Sequence, residues 1–377
     1  MGNTFGLEIQ EARNVPSSRK YWFIRTFGGQ LFSYFYEREK VGIIGNSVPL
    51  EYIKNGRYDN TTFTTLQQYI YQNEVQENQS EATKLANQLL RFYHDVKIGD
   101  VVMMPSADSD YIAIGLIDSD IKIEKTTGIV KHNDKDESYP EKIRKVKWQK
   151  ILPKSEVVGD LRSLFSSRLG LTNADKYGDF IESNLSSVFV KEEMTYGTFY
   201  INQDENINAF ELKRFLDAIT TLYTELCKEN GYEVDEELYI KIKVQSRGSA
   251  ILIGGCVGAI TAIIMYLSLF SNNLELKAKA ASVLDIDIKY DGNALDAYNK
   301  YKSEDLDIDY KKDSLARKSE LEQLRHKIDV QLLQDSLNKI QNNTLKTAVK
   351  ELADSSKHMQ TEPIESSEKS LAQIKKD

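Results

Sequence analysis

The residues that could do chemistry fall in two short runs, and the chemistry they suggest is binding. The richer run is Lys142-Ile143-Arg144-Lys145-Val146-Lys147-Trp148-Gln149-Lys150-Ile151, with Lys154 just beyond. Cations alternate there with apolar residues, so a strand would carry a basic face and an apolar face. Such a row can track a phosphate backbone. It can equally be a solvated strand face in a chain that is 28% charged. The other run is Tyr21-Trp22-Phe23-Ile24-Arg25. Trp22 and Trp148 offer rings for stacking on a base, which contributes about 1–3 kcal/mol per base; the plainer reading is sheet core. Arg25 could grip a phosphate or a base edge bidentately, or make a surface ion pair.

Other reactive types are sparse. The histidines (His94, His132, His326, His358) lack ligand spacing. Two cysteines, Cys227 and Cys256, exclude a disulfide framework and a zinc knuckle and suit a reducing cytosol. The pairs Asp285/Asp287 and Asp307/Asp309 could hold a divalent cation, but read more simply as the polar faces of exposed strands. No catalytic residue, metal site or cofactor is expected. With a net charge of −8, any contact to nucleic acid must come from a local patch.

The elements that must position these groups are legible in part. Tyr21–Thr26 reads as a strand, Gly28-Gly29 as a turn, and the next segment as a helix with Leu31, Phe32, Phe35 and Tyr36 on one face. Val41–Gly45 is a second strand. Residues 51–80 are polar, a long loop or a weak helix around Leu66–Tyr71, and Ser80 can cap a helix from 81 to about 94. Val101–Met104 and Tyr111–Ile117 form a hairpin around a loop of about five residues, with both arms so apolar that both faces should be covered. Lys131–Tyr139 is a charged loop, and a short helix near 158–169 follows. Further on, Asn208-x-x-Glu211 opens a helix whose stripe runs from Leu212 to Leu226 and stops at Asn230-Gly231. Leu238–Val244 alternates as a half-buried strand.

Ser249–Phe270 is a run of 22 residues without a charge. A membrane span needs about 20, and Gly254, Gly258 and Ala262 would give it a small-residue face for tight helix pairing. The same letters also fit a strand over Ala250–Ile253, paired in a hairpin, with a helix only from about Cys256 to Phe270. Leu321, Leu324, Ile328, Leu333, Leu337 and Ile340 suggest one long helix with a skip in its stripe.

The order of pieces from Tyr21-Trp22-Phe23-Ile24-Arg25 through Val41-Gly42-Ile43-Ile44-Gly45, Phe92–Pro105 and Tyr111–Gly115 to Arg144-Lys145-Val146-Lys147-Trp148 resembles the PUA/EVE-like module of Mrr-type restriction and other prokaryotic anti-phage proteins. The resemblance covers roughly residues 20–170. It implies a small barrel that holds a flipped, often modified, base between aromatics, with Trp22, Arg25 and the hairpin from Met104 through Ser106 to Tyr111 at the pocket's border. Asn46 stands where relatives often carry an aromatic. The restriction activity does not transfer, because no Asp…Glu-x-Lys set stands in a strand context.

The expected fold is α+β: a small mixed β-barrel, PUA-like, with flanking helices, then a second α+β domain with one strongly apolar helix and a helical tail. The expected divisions are a leader over 1–17 without a secretory signal, the barrel over 18–170, a connector over 171–192, the second domain over 193–310, an amphipathic helix over 311–353 and a disordered tail over 354–377. The expected function is cytoplasmic sensing of nucleic acid, modified DNA included, in anti-phage defence. The site residues would be Trp22, Arg25, Met104, Ser106, Tyr111, Lys142, Arg144, Lys145, Lys147, Trp148 and Lys150. The second domain would form a homo-oligomer through 249–270 and 311–353, or reach a membrane. The alternatives are a restriction-type nuclease with an unrecognised active site and a membrane-anchored protein-binding scaffold.

Overall fold

The computed structural model describes residues 12–284 and 328–364, apart from 58, 76–77, 133–134, 155–156, 158–160, 168, 204–205, 233, 235–236 and 243–247. Asp285, Asp287, Asp307, Asp309 and His326, with residues 311–327 of the expected long helix, lie outside the described residues. The described chain forms two units, one built from Pro16–Leu185, the other from residues 186–364 together with the segment ending at Val15.

In the first unit, β2 (Tyr21–Ile24) leads through the glycine turn to α1 (Phe32–Glu37) and β3 (Lys40–Ile43). Three helices follow: α2 (Leu50–Asn55), α3 (Asn60–Asn73) and α4 (Gln79–Leu90). Asp59 caps α3 in a reciprocal box with Thr62. The cap of α4 is Asn78, whose side chain accepts from the amides of Ser80 and Glu81. Ser80, the residue expected to cap, is instead capped, because an Asn two residues earlier supplies the acceptor first. The chain passes a π-helical turn (Arg91–Asp95) into the hairpin β4 (Val101–Pro105) and β5 (Tyr111–Ile117). Then come β6 (Lys122–Ile123), the ribbon β7 (Ile129–His132) and β8 (Lys135–Ser138) where a charged loop was expected, and the long β9 (Lys142–Pro153). The unit ends in α5 (Arg162–Phe165), β10 (Leu171–Asn173) and α6 (Gly178–Leu185).

The strand order is β10-β2-β4-β5-β9-β3, with β6 also on β9. Among the described residues β10 and β3 do not pair, so the sheet is a curled half-barrel and not the closed barrel expected. Both faces are covered, as the apolar arms require. Trp22, Ile24, Val102, Met104, Ala113 and Val146 pack on one face against a cluster that includes Phe35, Leu66, Leu85 and Leu89. Tyr21, Phe23, Met103, Ile112 and Ile114 pack on the other with Leu161, Leu164 and Ile181. Residues 171–185, expected to be connector, supply an edge strand and a helix.

The second unit is built on a sheet whose strands run in the order β1 (Arg13–Val15), β11 (Val188–Lys191), β12 (Met194–Ile201), β14 (Gly248–Gly254) and β13 (Leu238–Ile242), with β15 (Thr361–Pro363) on β12. β1 pairs parallel to β11, so part of the expected leader is a strand. β12, α7 (Ala209–Glu229), β13 and β14 precede α8 (Val257–Phe270) and α9 (Leu274–Val283). The uncharged run therefore breaks at Gly254-Gly255-Cys256 into a strand and a 14-residue helix. At 1.5 Å per residue such a helix rises ~21 Å, short of a ~30 Å hydrocarbon core. No helix among the described residues is long and apolar enough to cross a membrane. Ile260, Ile263, Ile264 and Leu267 of α8 are buried with Phe199, Phe215, Leu222 and Leu252. Gly197 makes room for this: a Cβ there would press on Ile260 and Ile264. The greasiest segment is thus core of its own unit and needs no partner copy to hide it.

The expected single long helix is broken. A helix at 328–339 ends, and Asn342 caps a new one, Asn343–Met359, by accepting from Thr344 and Leu345. Residues 361–363, placed in the expected disordered tail, form β15 (Thr361–Pro363) against β12.

Candidate nucleic-acid interface

The eleven residues singled out in the sequence separate by strand parity. Trp22 and Met104 belong to the helix-covered face of the half-barrel, where Tyr111 and Trp148 also pack. Only Tyr111 and Trp148 are part-exposed. Trp22 is 2% exposed, and its indole nitrogen donates to Asp100 Oδ2 at 2.9 Å. It is a core residue and cannot border a surface pocket. Met104 is fully buried.

Arg25 is part-buried and spent on the backbone. Nε donates to the Ser167 carbonyl at 2.8 Å, and Nη2 donates to the Phe165 carbonyl. The guanidinium lies over the Phe23 ring, and burial lowers its pKa. Ser106 closes the hairpin: its hydroxyl accepts from the Tyr111 amide at 2.9 Å.

The basic strand does not have a basic face. Lys142 and Arg144, with Val146 and Trp148, follow one parity; Lys145 and Lys147 follow the other and are exposed. Lys142 is 1% exposed; its ammonium donates to the carbonyls of Gly45 at 2.5 Å and Asn46 at 3.2 Å. Burial pushes its pKa down to about 8. Arg144 is also buried, donating to the carbonyls of Phe92, Tyr93 and Ser119 at 3.0–3.1 Å. Two of those carbonyls belong to the π-helical turn, whose wider winding frees them. Lys150 is buried as well, but on the other covered face: Ile114 pairs with Lys150 and Gly115 with Trp148, leaving Gln149 extra, and this bulge takes Lys150 off the parity of Lys142 and Arg144. Lys142 and Arg144, cations expected at the surface, are thus internal ties held by carbonyls from distant segments.

What the structure brings together is an aromatic row at the β9 edge. Trp148 stands over Gly115, where a Cβ would touch its Cε3. Tyr36 stacks on Trp148 at 5.7 Å and 18°, and Phe32 stacks on Tyr36 at 6.3 Å and 17°. The indole Nε1 of Trp148 is buried with no acceptor among the described residues. Beside it, Lys145 and Lys147 sit on the opposite side of the same strand. On the side away from β5, β9 pairs with β3 only over Lys142–Lys145, so its backbone from residue 147 carries no strand partner among the described residues.

A second set of groups converges at the other end of α1. The Gly28-Gly29 turn abuts the hairpin tip, where a Cβ on Gly29 would collide with Ala107. Phe27, Asp108 and Ser109 all hold positive φ, of 55°, 50° and 59°. Such conformations cost free energy and gather at sites whose surroundings enforce them. Gln30 ties this turn to the β7–β8 ribbon through Lys131.

Tyr36 and Phe32 were not among the expected site residues. Their helical spacing was visible, but it signals a packed face and cannot show that one end of the row reaches solvent. Residues 39–164 match the family model described as Domain of unknown function (DUF8426). That stretch holds β9, the hairpin and the π-helical turn, but not β2, the glycine turn or α1. No curated protein and no solved structure matches the chain.

Proposed function

We propose that the Pro16–Leu185 unit is a non-catalytic binding module that takes a planar ring, a base of nucleic acid, against Trp148 at the β9 edge. The observation that carries this reading is the buried Trp148 Nε1, a donor with no acceptor among the described residues on a part-exposed ring. An unmet buried donor costs about 1–3 kcal/mol, and an acceptor of the same ligand lying in the indole plane would relieve it while the base stacks on the ring face in place of Tyr36 or beside it. Lys147 and Lys145, one and three residues before Trp148, would meet the phosphates of the same nucleotide. The resemblance of residues 20–170 to PUA/EVE-like modules adds the expectation of modified bases and of a role in anti-phage defence. On this reading the second unit supplies assembly or output.

The test is binding of the full chain to short labelled DNA and RNA, with ordinary and modified bases. Trp148→Ala should weaken binding by about tenfold or more, the range set by one base stack. Lys147→Ala should weaken it across all sequences and flatten its salt dependence. Trp22→Phe should leave it unchanged. A folded Trp148→Ala protein that binds like wild type, or no binding to any of these ligands, sinks the reading.

A further inference from the structure

The two cysteines are 29 positions apart in the chain, and the fold brings them into contact. Cys227 lies in the last turns of α7, and Cys256 is the residue that caps α8. Both are free and 2% exposed. Both pack in the core of the second unit, with the Cys227 thiol against Cys256 Sγ and against the hydroxyl of Tyr223, one turn earlier on α7. The Cys256 amide in turn donates to Tyr223 Oη at 3.2 Å. These contacts tie the end of one helix to the start of the next.

The two sulfurs differ. Cys256 faces the amides of Gly258 and Ala259 in the first turn of α8, an electrostatic contact short of a formed cap bond. The neighbouring Cys227 thiol and these amides favour a thiolate and draw its pKa down. The neighbouring Cys256 sulfur, together with burial, pushes the Cys227 thiol up. The approach to Cys256 is also short. Gly255, immediately before it, is exposed, and the space beside its Cα is open.

We propose that Cys227 and Cys256 are a redox modification site, oxidised by hydrogen peroxide to a reversible disulfide that staples α7 to α8. The Cys256 thiolate attacks one peroxide oxygen, the O–O bond breaks, and hydroxide leaves, taking a proton to become water. Cys256 is then a sulfenic acid. The Cys227 sulfur attacks it, the S–O bond breaks, and the sulfenic hydroxyl leaves as a second water by taking the Cys227 proton. Two thiols lose two electrons in total, and one peroxide gains them. The site is independent of the base-binding reading.

The test treats the full chain with hydrogen peroxide, blocks remaining thiols with N-ethylmaleimide, and maps peptides without reductant. Wild type should yield an intrachain cross-link between the Cys227 and Cys256 peptides that dithiothreitol reverses. Cys227→Ser should stop at a sulfenic acid on Cys256, captured by dimedone. Cys256→Ser should react with peroxide about tenfold more slowly or worse. Two free thiols persisting in wild type, at doses that oxidise a free-cysteine peptide, would overturn the proposal. So would cross-links only between chains, or equal reactivity of the two serine variants. Should either variant fail to fold, the wild-type map decides alone.

Discussion

Trp22 Nε1 and Asp100 Oδ2 are joined by a 2.9 Å hydrogen bond inside the half-barrel. The same carboxylate accepts from the amides of Lys20 at 3.1 Å and Lys97 at 2.9 Å. One buried side chain therefore saturates three donors from two segments that lie side by side as β2 and β4. Asp100→Ala would strand all three, and hydrogen bonds to a charged group contribute about 1.5–3 kcal/mol each while stranded donors cost more. We expect a loss of about 3–5 kcal/mol, read as the urea midpoint of unfolding. Trp22→Phe removes one donor and keeps most of the ring, so about 1–2 kcal/mol is expected. A double variant no worse than Asp100→Ala alone would show that the two losses share one interaction.

Lys142 makes stability depend on pH in a defined window. Its folded pKa lies near 8, below the ordinary 10.5, because burial disfavours the charged form. Below about pH 8 both folded and unfolded chains hold the proton, and the full cost of burying it is present. Between about 8 and 10.5 the unfolded chain keeps a proton that the folded one has released, so stability rises with pH. Relative to Lys142→Met, the wild-type protein should gain on the order of 3 kcal/mol between pH 7.5 and 10.5. Thermal midpoints of both proteins across that range measure it. A difference that stays flat or falls with pH would mean the ammonium is solvated.

How much could be read without coordinates follows from where each residue finds its partners. The β4–β5 hairpin was legible because its two apolar arms and its turn are contiguous. The break in the uncharged run was legible as one of two options, since Gly254-Gly255 interrupts it and what remains is too short to span a bilayer. The alternation of β9 was legible too, and Lys142 and Arg144 do share a parity. What could not be read is that this parity faces inward. The carbonyls that solvate those cations come from Gly45, Asn46, Phe92, Tyr93 and Ser119, and no local pattern announces a carbonyl. The bulge at Gln149 hides in the same way, because it changes the side taken by Lys150 without a proline or glycine to mark it. The pairing of β1 with β11 joins segments about 175 positions apart, and a three-residue strand has too little pattern to be seen.

The two glycines of the turn after β2 should behave differently despite similar backbones. Gly28 has φ +64° and open space where a Cβ would go; Gly29 has φ +90° and Ala107 in that place. Gly28→Ala should cost about 1 kcal/mol, the strain of a left-handed alanine. Gly29→Ala must also push the hairpin tip away, so a further loss of about 1–3 kcal/mol is expected. Chemical denaturation of both variants tests this. Equal costs would mean that the tip yields freely and that its contact with the turn is not a fixed feature of the site.

The C-terminal helix and β15 belong to the core of the second unit. Helix Asn343–Met359 buries Leu345, Val349, Leu352 and Met359 in the core of the second unit, and β15 pairs with Phe199, Tyr200 and Ile201 of β12. A chain ending at residue 353 keeps the first three apolar anchors but loses Met359 and the whole of β15. Removing a fully buried methionine side chain alone costs about 2–5 kcal/mol, and the exposed β12 amides add to it. The truncated protein should therefore unfold at a lower temperature, with the change confined to the second unit. Hydrogen exchange can locate it: amides of β12 and α8 should lose protection while those of β4 and β5 keep theirs. If protection in β12 survives the truncation, residues 354–364 are an appendage and the pairing of β15 is not part of the stable fold.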